Sequence, residues 1–127
     1  MNGDPLARFD ADVLQAFRST EEVDVETWSP ASGARRTIVW IVVVEGVPFL
    51  RSFRGPTARW YREIREEPAV AIHVGGRRVP ARAVLADDPR TAAAVSEALA
   101  AKYPTDPATP AMLRPEVLGT TLRLEPV

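Results

Sequence analysis

Three short turns divide much of this chain, and each separates two stretches whose residues alternate between apolar and polar. Gly75-Gly76 joins Ala69–Val74 to Arg77–Leu85, and Glu45-Gly46 joins Arg35–Val44 to Val47–Phe53. Ser29-Pro30-Ala31-Ser32-Gly33 parts Glu21–Trp28 from the strand that follows. A parallel neighbour needs a crossover of a dozen or more residues, so turns this short make hairpins and a mainly antiparallel sheet. Leu122 and Leu124 alternate with Arg123 and Glu125 in a last strand, which brings the expected number to six. Helical spacing of Val13, Leu14 and Phe17 after Asp10 predicts a helix over 10–18, and Trp60, Tyr61 and Ile64 predict another over 57–66. Asp88-Pro89 reads as a cap and a first-turn proline opening an alanine-rich helix to Lys102. The order α-β-β-β-α-β-β-α-β predicts a mainly β, α+β domain: a small six-stranded barrel with about three helices packed outside. The segment 104–115 carries four prolines and is expected to hold no regular structure, serving either as a lid or as a surface wrap.

At 127 residues the chain is one domain, 1–127. It has no cysteine, which removes disulfides, thiol nucleophiles and cysteine-based metal or iron–sulfur sites. His73 is the single histidine, so multi-histidine metal sites cannot be built and no metal is expected. The longest apolar run, Ile38 to Val44, has seven residues, against about 20 for a membrane span. The start, Met1-Asn2-Gly3-Asp4, lacks a signal pattern, and a cytoplasmic protein is expected. A net charge of −1 argues against general nucleic-acid binding. The charge is uneven, however: residues 51–82 hold eight arginines against three glutamates.

The densest chemistry lies in Arg51-Ser52-Phe53-Arg54-Gly55-Pro56-Thr57-Ala58-Arg59-Trp60-Tyr61-Arg62. A strand end runs through a glycine turn into a helix start, where free N–H groups and the helix dipole favour an anion. Arg51 and Arg54 add forked donors suited to phosphate or carboxylate, Ser52 a hydroxyl, and Trp60 or Tyr61 a flat face for a ring. Read without function, the aromatics plug the barrel and the arginines pair with Glu63, Glu66 and Glu67. Arg59 is expected to face solvent.

This stretch, with Pro68 and the Val74-Gly75-Gly76-Arg77 hairpin, resembles the DUF2255 family. It is similar more widely to the deazaflavin-dependent nitroreductases and the pyridoxamine-phosphate-oxidase-like flavoproteins. Gly33-Ala34-Arg35-Arg36-Thr37 matches their leading Gly-x-x-Arg element, and the similarity spans roughly residues 9–103. The resemblance implies a split β-barrel and a cofactor, FMN or a deazaflavin (coenzyme F420). It places Arg36, Thr37, Arg51, Ser52, Arg54 and Gly55 on the phosphate side with Trp60 and Tyr61 beside it, and Trp40 against the ring or the substrate. The chain departs from the nitroreductases at Arg54-Gly55-Pro56, where they carry a lysine-glycine-glycine turn and where Pro56 lacks an N–H. In such enzymes the flavin performs hydride transfer while the protein binds and orients.

Other features divide between function and structure. His73 is a candidate for the substrate pocket, although its alternation with Ile72 and Val74 also fits a structural or surface histidine. Asp87-Asp88 fits a helix cap better than a metal pair, and Glu66-Glu67 a solvated helix end. The run Ile38–Val44 is apolar on both faces, which predicts a central strand or a subunit contact, and hence a homodimer. Two functions compete: a flavin- or deazaflavin-dependent oxidoreductase acting on a small organic molecule, and a cofactor-free barrel that binds a small molecule or catalyses an isomerisation or cyclisation. A structural partner subunit is a third reading, which leaves the arginine turn without a purpose.

Overall fold

The computed structural model describes residues 7–127. Seven antiparallel strands form one sheet: β1 (Val23–Ser29), β2 (Gly33–Val39), β3 (Val42–Val44), β4 (Val47–Leu50), β5 (Ala69–Val74), β6 (Arg77–Leu85) and β7 (Leu122–Pro126). Their order across the sheet is β2-β1-β5-β6-β7-β4-β3. The hairpins lie where the turn residues place them. Val74 pairs with Arg77 across Gly75 and Gly76, both at positive φ, the backbone that a two-residue hairpin matched to strand twist requires. Glu45 and Gly46 make the same kind of turn between Val44 and Val47, and Glu45 is the one described non-glycine residue at positive φ.

The seventh strand comes from the run expected to be one long strand, central or at a subunit contact. Arg35–Val44 breaks at Trp40-Ile41, with β2 on one margin of the sheet and β3 on the other. Two residues span only a few ångströms, so the sheet must curl until its margins nearly meet. That curl makes a half-barrel, and it explains why the run is apolar on both sides. Val39 and Ile41 face the barrel interior with Val25, Leu50, Ile72, Leu122 and Leu124. Val42 belongs to a second core with Phe49, Val95, Leu99, Tyr103 and Met112, under the long helix.

Five helices pack around the sheet: α1 (Ala11–Ser19), α2 (Arg59–Glu66), α3 (Pro89–Lys102), α4 (Thr109–Met112) and α5 (Pro115–Leu118). Phe17 and Ile64 carry α1 and α2 onto the barrel core. The Asp88 carboxylate accepts from the Thr91 N–H at 3.1 Å and caps α3, with Pro89 in the first turn. Asp10 holds the equivalent place before α1 without a side-chain cap bond. The proline-rich segment is more regular than expected, because its prolines sit where helix starts tolerate them: α4 is one turn with Pro110 in its first turn, and Pro115 opens α5. These two turns raise the helix count above three. Among the described residues no helix is long and apolar enough to cross a membrane.

The corner at Trp40-Ile41 is held by the only lysine in the chain. Lys102 Nζ donates to the carbonyl of Ile41 at 2.7 Å and to that of Phe17, in the last turn of α1, at 2.8 Å. Trp40 stacks on Tyr103 at 3.9 Å between ring centroids and 11° between planes. The Tyr103 hydroxyl donates to the Glu21 carbonyl at 2.6 Å. No carboxylate pairs with Lys102 among the described residues, and burial lowers its pKa to about 8. The unfolded chain therefore holds more protons than the folded one between about pH 8 and the ordinary lysine value of 10.5, and stability from this group rises with pH across that window. Lys102→Met removes both bonds and should lower stability by roughly 1–3 kcal/mol at pH 7. In urea melts the gap between wild type and variant should widen from pH 8 to pH 10; a gap independent of pH would show that the ammonium is not strained by burial.

Candidate functional site

The arginine turn splits its residues between the interior and the surface. Arg51, directly after β4, is 2% exposed. Its Nε donates to Thr121 Oγ1 at 3.0 Å, Nη1 to Ser96 Oγ at 2.8 Å and to the Met112 carbonyl at 3.1 Å, and Nη2 to the Ala92 carbonyl at 2.9 Å. Four of its five N–H groups are thus taken by neutral acceptors. No described carboxylate pairs with it, and burial lowers its pKa to about 10. Ser52 is also buried: its hydroxyl donates to the Gly55 carbonyl at 2.8 Å and its N–H to Thr120 Oγ1 at 3.0 Å. Gly55 has φ +72°, and a Cβ there would stand 3.6 Å from the Glu116 carbonyl oxygen. Arg51, Ser52 and Gly55 therefore build the turn from inside, which departs from their expected place on a phosphate.

Phe53 and Arg54 point the other way. Phe53 is 48% exposed and Arg54 is exposed with no side-chain partner among the described residues. A short 3₁₀ turn, Gly55–Thr57, follows and leads into α2, whose N-terminus has no side-chain cap. Trp60 and Tyr61 are buried and meet edge to face at 6.4 Å. Tyr61 is a core residue, its hydroxyl 3.5 Å from the Gly119 carbonyl, and burial raises its pKa. Trp60 reaches the surface clefts.

Arg59 is not the free solvent-facing residue expected from helical spacing. Its guanidinium donates to Glu63 at 2.6 Å and to Thr37 Oγ1 at 3.2 Å, which ties α2 to β2. Glu63 also accepts from Thr27 Oγ1 at 2.7 Å. Burial alone would raise the Glu63 carboxyl, but the bonds from Thr27 and Arg59 outweigh it and keep it below the usual range.

Two clefts open beside the turn and share Ile38, Phe53 and Trp60 as a common wall. The outer cleft, about 570 Å³, is rimmed by Thr37, Arg54, Thr57, Arg59 and Arg62. The inner cleft, about 350 Å³, runs past Trp40, Val39 and Met112 to Arg51, with the exposed acids Glu22 and Asp106 at its mouth. The structure thus gathers Thr37, Arg54 and Trp60 around one cleft, and Trp40 and Arg51 around its neighbour.

Arg36 and His73 lie elsewhere. Arg36 pairs with Asp24 at 3.0 Å. His73 Nε2 stands 2.7 Å from Glu26, which also binds Arg78 at 3.1 Å. Hydrogen bonds from Arg78 and His73 hold the Glu26 carboxyl down at about 2. These are cross-strand partners, since Asp24 pairs with Ile38 and His73 in register and Glu26 with Arg36 and Ala71. Asp24, Arg36 and His73 line a separate polar depression, so the expected grouping of His73 with Trp40 does not occur. Among the described residues no three acids or histidines cluster as a metal site.

Sequence reasoning left Ile38, Phe53, Met112 and Asp106 without a role at this site. Exposure of large apolar residues would have marked the first two, but exposure is not written in local sequence. An antiparallel seven-stranded sheet curled into a half-barrel places the chain in the split-barrel class. The chain belongs to the DUF2255 family, described as an uncharacterised protein conserved in bacteria, whose model matches residues 13–124. No curated protein matches the sequence. The fold is similar to that of the heme storage protein HutZ from Vibrio cholerae, with TM-score 0.68, 12% identity, and 94% of this chain and 91% of that one covered. A pyridoxamine 5′-phosphate oxidase-like protein from Listeria innocua gives TM-score 0.63 at 11% identity, covering 91% of this chain and 90% of that one. An F420-H2-dependent reductase gives TM-score 0.61 at 17% identity, covering 83% and 94%.

Arg51→Met should cost about 3 kcal/mol or more, because charged hydrogen bonds contribute roughly 1.5–3 kcal/mol each and the substitution strands buried acceptors on three elements. Chemical denaturation should show this as a lower midpoint; a midpoint equal to wild type would mean that Arg51 is held only loosely.

Proposed function

We propose that this protein is a flavin- or deazaflavin-dependent oxidoreductase acting on a small organic molecule. The observation that carries the reading is the outer cleft: Arg54, a cation with no side-chain partner among the described residues, lines it with the exposed flat side chain of Phe53 and with Trp60. FMN and coenzyme F420 both join a planar tricycle to a phosphate-bearing tail, and such a molecule matches a cleft with an apolar wall and a cationic rim. Arg54 and Arg62 would bind the phosphate, Thr37 would offer a hydroxyl to the tail, and Ile38 with Phe53 would exclude water from the ring. The inner cleft, walled by Trp40, would receive the substrate next to it. The bound cofactor supplies hydride transfer, so the chain need contribute no acid or base of its own. Heme, which some neighbours of this fold bind by name, has less support here, since the one imidazole is engaged by Glu26 away from both clefts.

A second reading, a cofactor-free barrel that binds a small molecule or catalyses a non-redox step, is favoured by one observation. Arg51 and Ser52 are occupied inside the protein, which leaves a thinner phosphate site than the motif suggests. Titration with FMN and with coenzyme F420, followed by tryptophan fluorescence, separates the two. The redox reading expects binding of one of them and about tenfold weaker binding in Arg54→Ala, since 1.4 kcal/mol is one decade and a charged hydrogen bond is worth at least that. The variant should melt with the wild type, because an exposed unpaired arginine adds little stability. If neither cofactor binds the wild type, the cofactor-free reading takes its place.

The same surface supports a homodimer. Ile38, 64% exposed on the marginal strand β2, and Phe53 leave apolar area at the cleft that a second copy would cover. Light scattering should give the mass of two 13.9 kDa chains, and Ile38→Asp should shift it towards one. A wild-type monomer at micromolar concentration would remove the dimer.

A further inference from the structure

The inner cleft has an electrostatic feature that no flavin ring needs. Arg51 lines it, is almost wholly buried, and has no ion-pair partner among the described residues. A buried charge held only by neutral dipoles still carries a desolvation cost of several kcal/mol, and an opposite charge brought close to it recovers part of that cost. The fifth N–H, on Nη2, has no acceptor among the described residues. Most of the remaining wall is apolar or aromatic, with Trp40, Phe53, Trp60 and Met112, and Arg51 is the one cation among the lining residues. Glu22 and Asp106 are the acids at the cleft and both are exposed, where solvent and salt screen their repulsion.

We propose that the inner cleft takes a small planar carboxylate, its anionic end directed to the buried guanidinium of Arg51 and its apolar body against Trp40, Phe53 and Trp60. This deepens the oxidoreductase reading, on which its role as substrate site rests, by giving the substrate a class: an aromatic or unsaturated carboxylic acid. The binding claim stands apart from any cofactor.

Benzoate and benzamide are the probes, being alike in shape and differing in charge. Isothermal titration calorimetry on the wild-type protein should show benzoate binding at least tenfold more tightly than benzamide. The chain has two methionines, Met1 and Met112, and Met112 lies in the cleft wall. With ¹³C-methyl labelling, the Met112 signal should shift on adding benzoate. Arg82→Ala should leave the benzoate affinity unchanged, because Arg82 is exposed on β6 and lines neither cleft. Equal binding of benzoate and benzamide, an unmoved Met112 methyl, or loss of benzoate binding in Arg82→Ala would each overturn the proposal. The flavin titration is independent: failure of FMN and F420 to bind with benzoate still bound would remove the redox reading and leave the carboxylate site, while the reverse result would do the opposite.

Discussion

The guanidinium of Arg51 joins parts of the chain that nothing else brings together so closely. It leaves the end of β4, meets the first turns of α3 through Ala92 and Ser96, takes the carbonyl that ends α4 at Met112, and reaches Thr121 at the entry to β7. Those contacts fix one wall of the inner cleft, since Met112 and Ala108 belong to that wall. They also fix the start of the turn, because Ser52 comes next and is itself held by Thr120 and Gly55. Charge, fork geometry and length all enter: a lysine could not reach four acceptors in one plane.

Closure of the barrel depends on a second polar contact of the same kind. A two-residue corner bridging the sheet margins exposes its backbone groups as the ladder ends, and buried carbonyls need donors. Lys102 supplies them for Ile41 and, in the same reach, for the end of α1. The Trp40–Tyr103 stack then holds the corner's other side chain flat across the face from which the inner cleft opens. Buried Arg51 and half-buried Lys102 therefore lack carboxylate partners among the described residues, each satisfied by neutral oxygens from distant segments. Such contacts stabilise only when the whole set of acceptors is in place, which couples the sheet margins, α1, α3 and the 109–121 segment into one cooperative unit.

These long-range contacts mark the limit of what the sequence expresses. Turn chemistry is local, so the hairpins at 29–33, 45–46 and 75–76 were legible along with the strands flanking them. The Asp88-Pro89 helix start was legible for the same reason. The break at Trp40-Ile41 was not, because neither glycine nor proline marks it and every residue from Ile38 to Val44 is apolar whichever core it enters. Of the residues that pattern and resemblance single out, Arg54, Thr37, Trp60 and Trp40 line the two clefts. The inward turn of Arg51 was not legible, since its acceptors lie 41 to 70 residues away and an arginine at a strand end looks the same whether it turns in or out.

The contiguity of the arginine turn also explains how one short segment can serve folding and recognition at once. Gly55 at φ +72° reverses the chain within a residue of Arg54, a left-handed backbone that favours glycine there. With that reversal fixed, Ser52 must point in and Phe53 with Arg54 must point out, so the cation available to a ligand is chosen by backbone geometry rather than by spacing. Arg51 then occupies an intermediate place. Most of its donors maintain the fold, but its charge is not cancelled by any of them, because neutral acceptors satisfy hydrogen bonds without supplying a negative charge. A residue can thus be structural by its contacts and selective by its field, and the cleft it underlies inherits a preference for anions that no exposed side chain would announce.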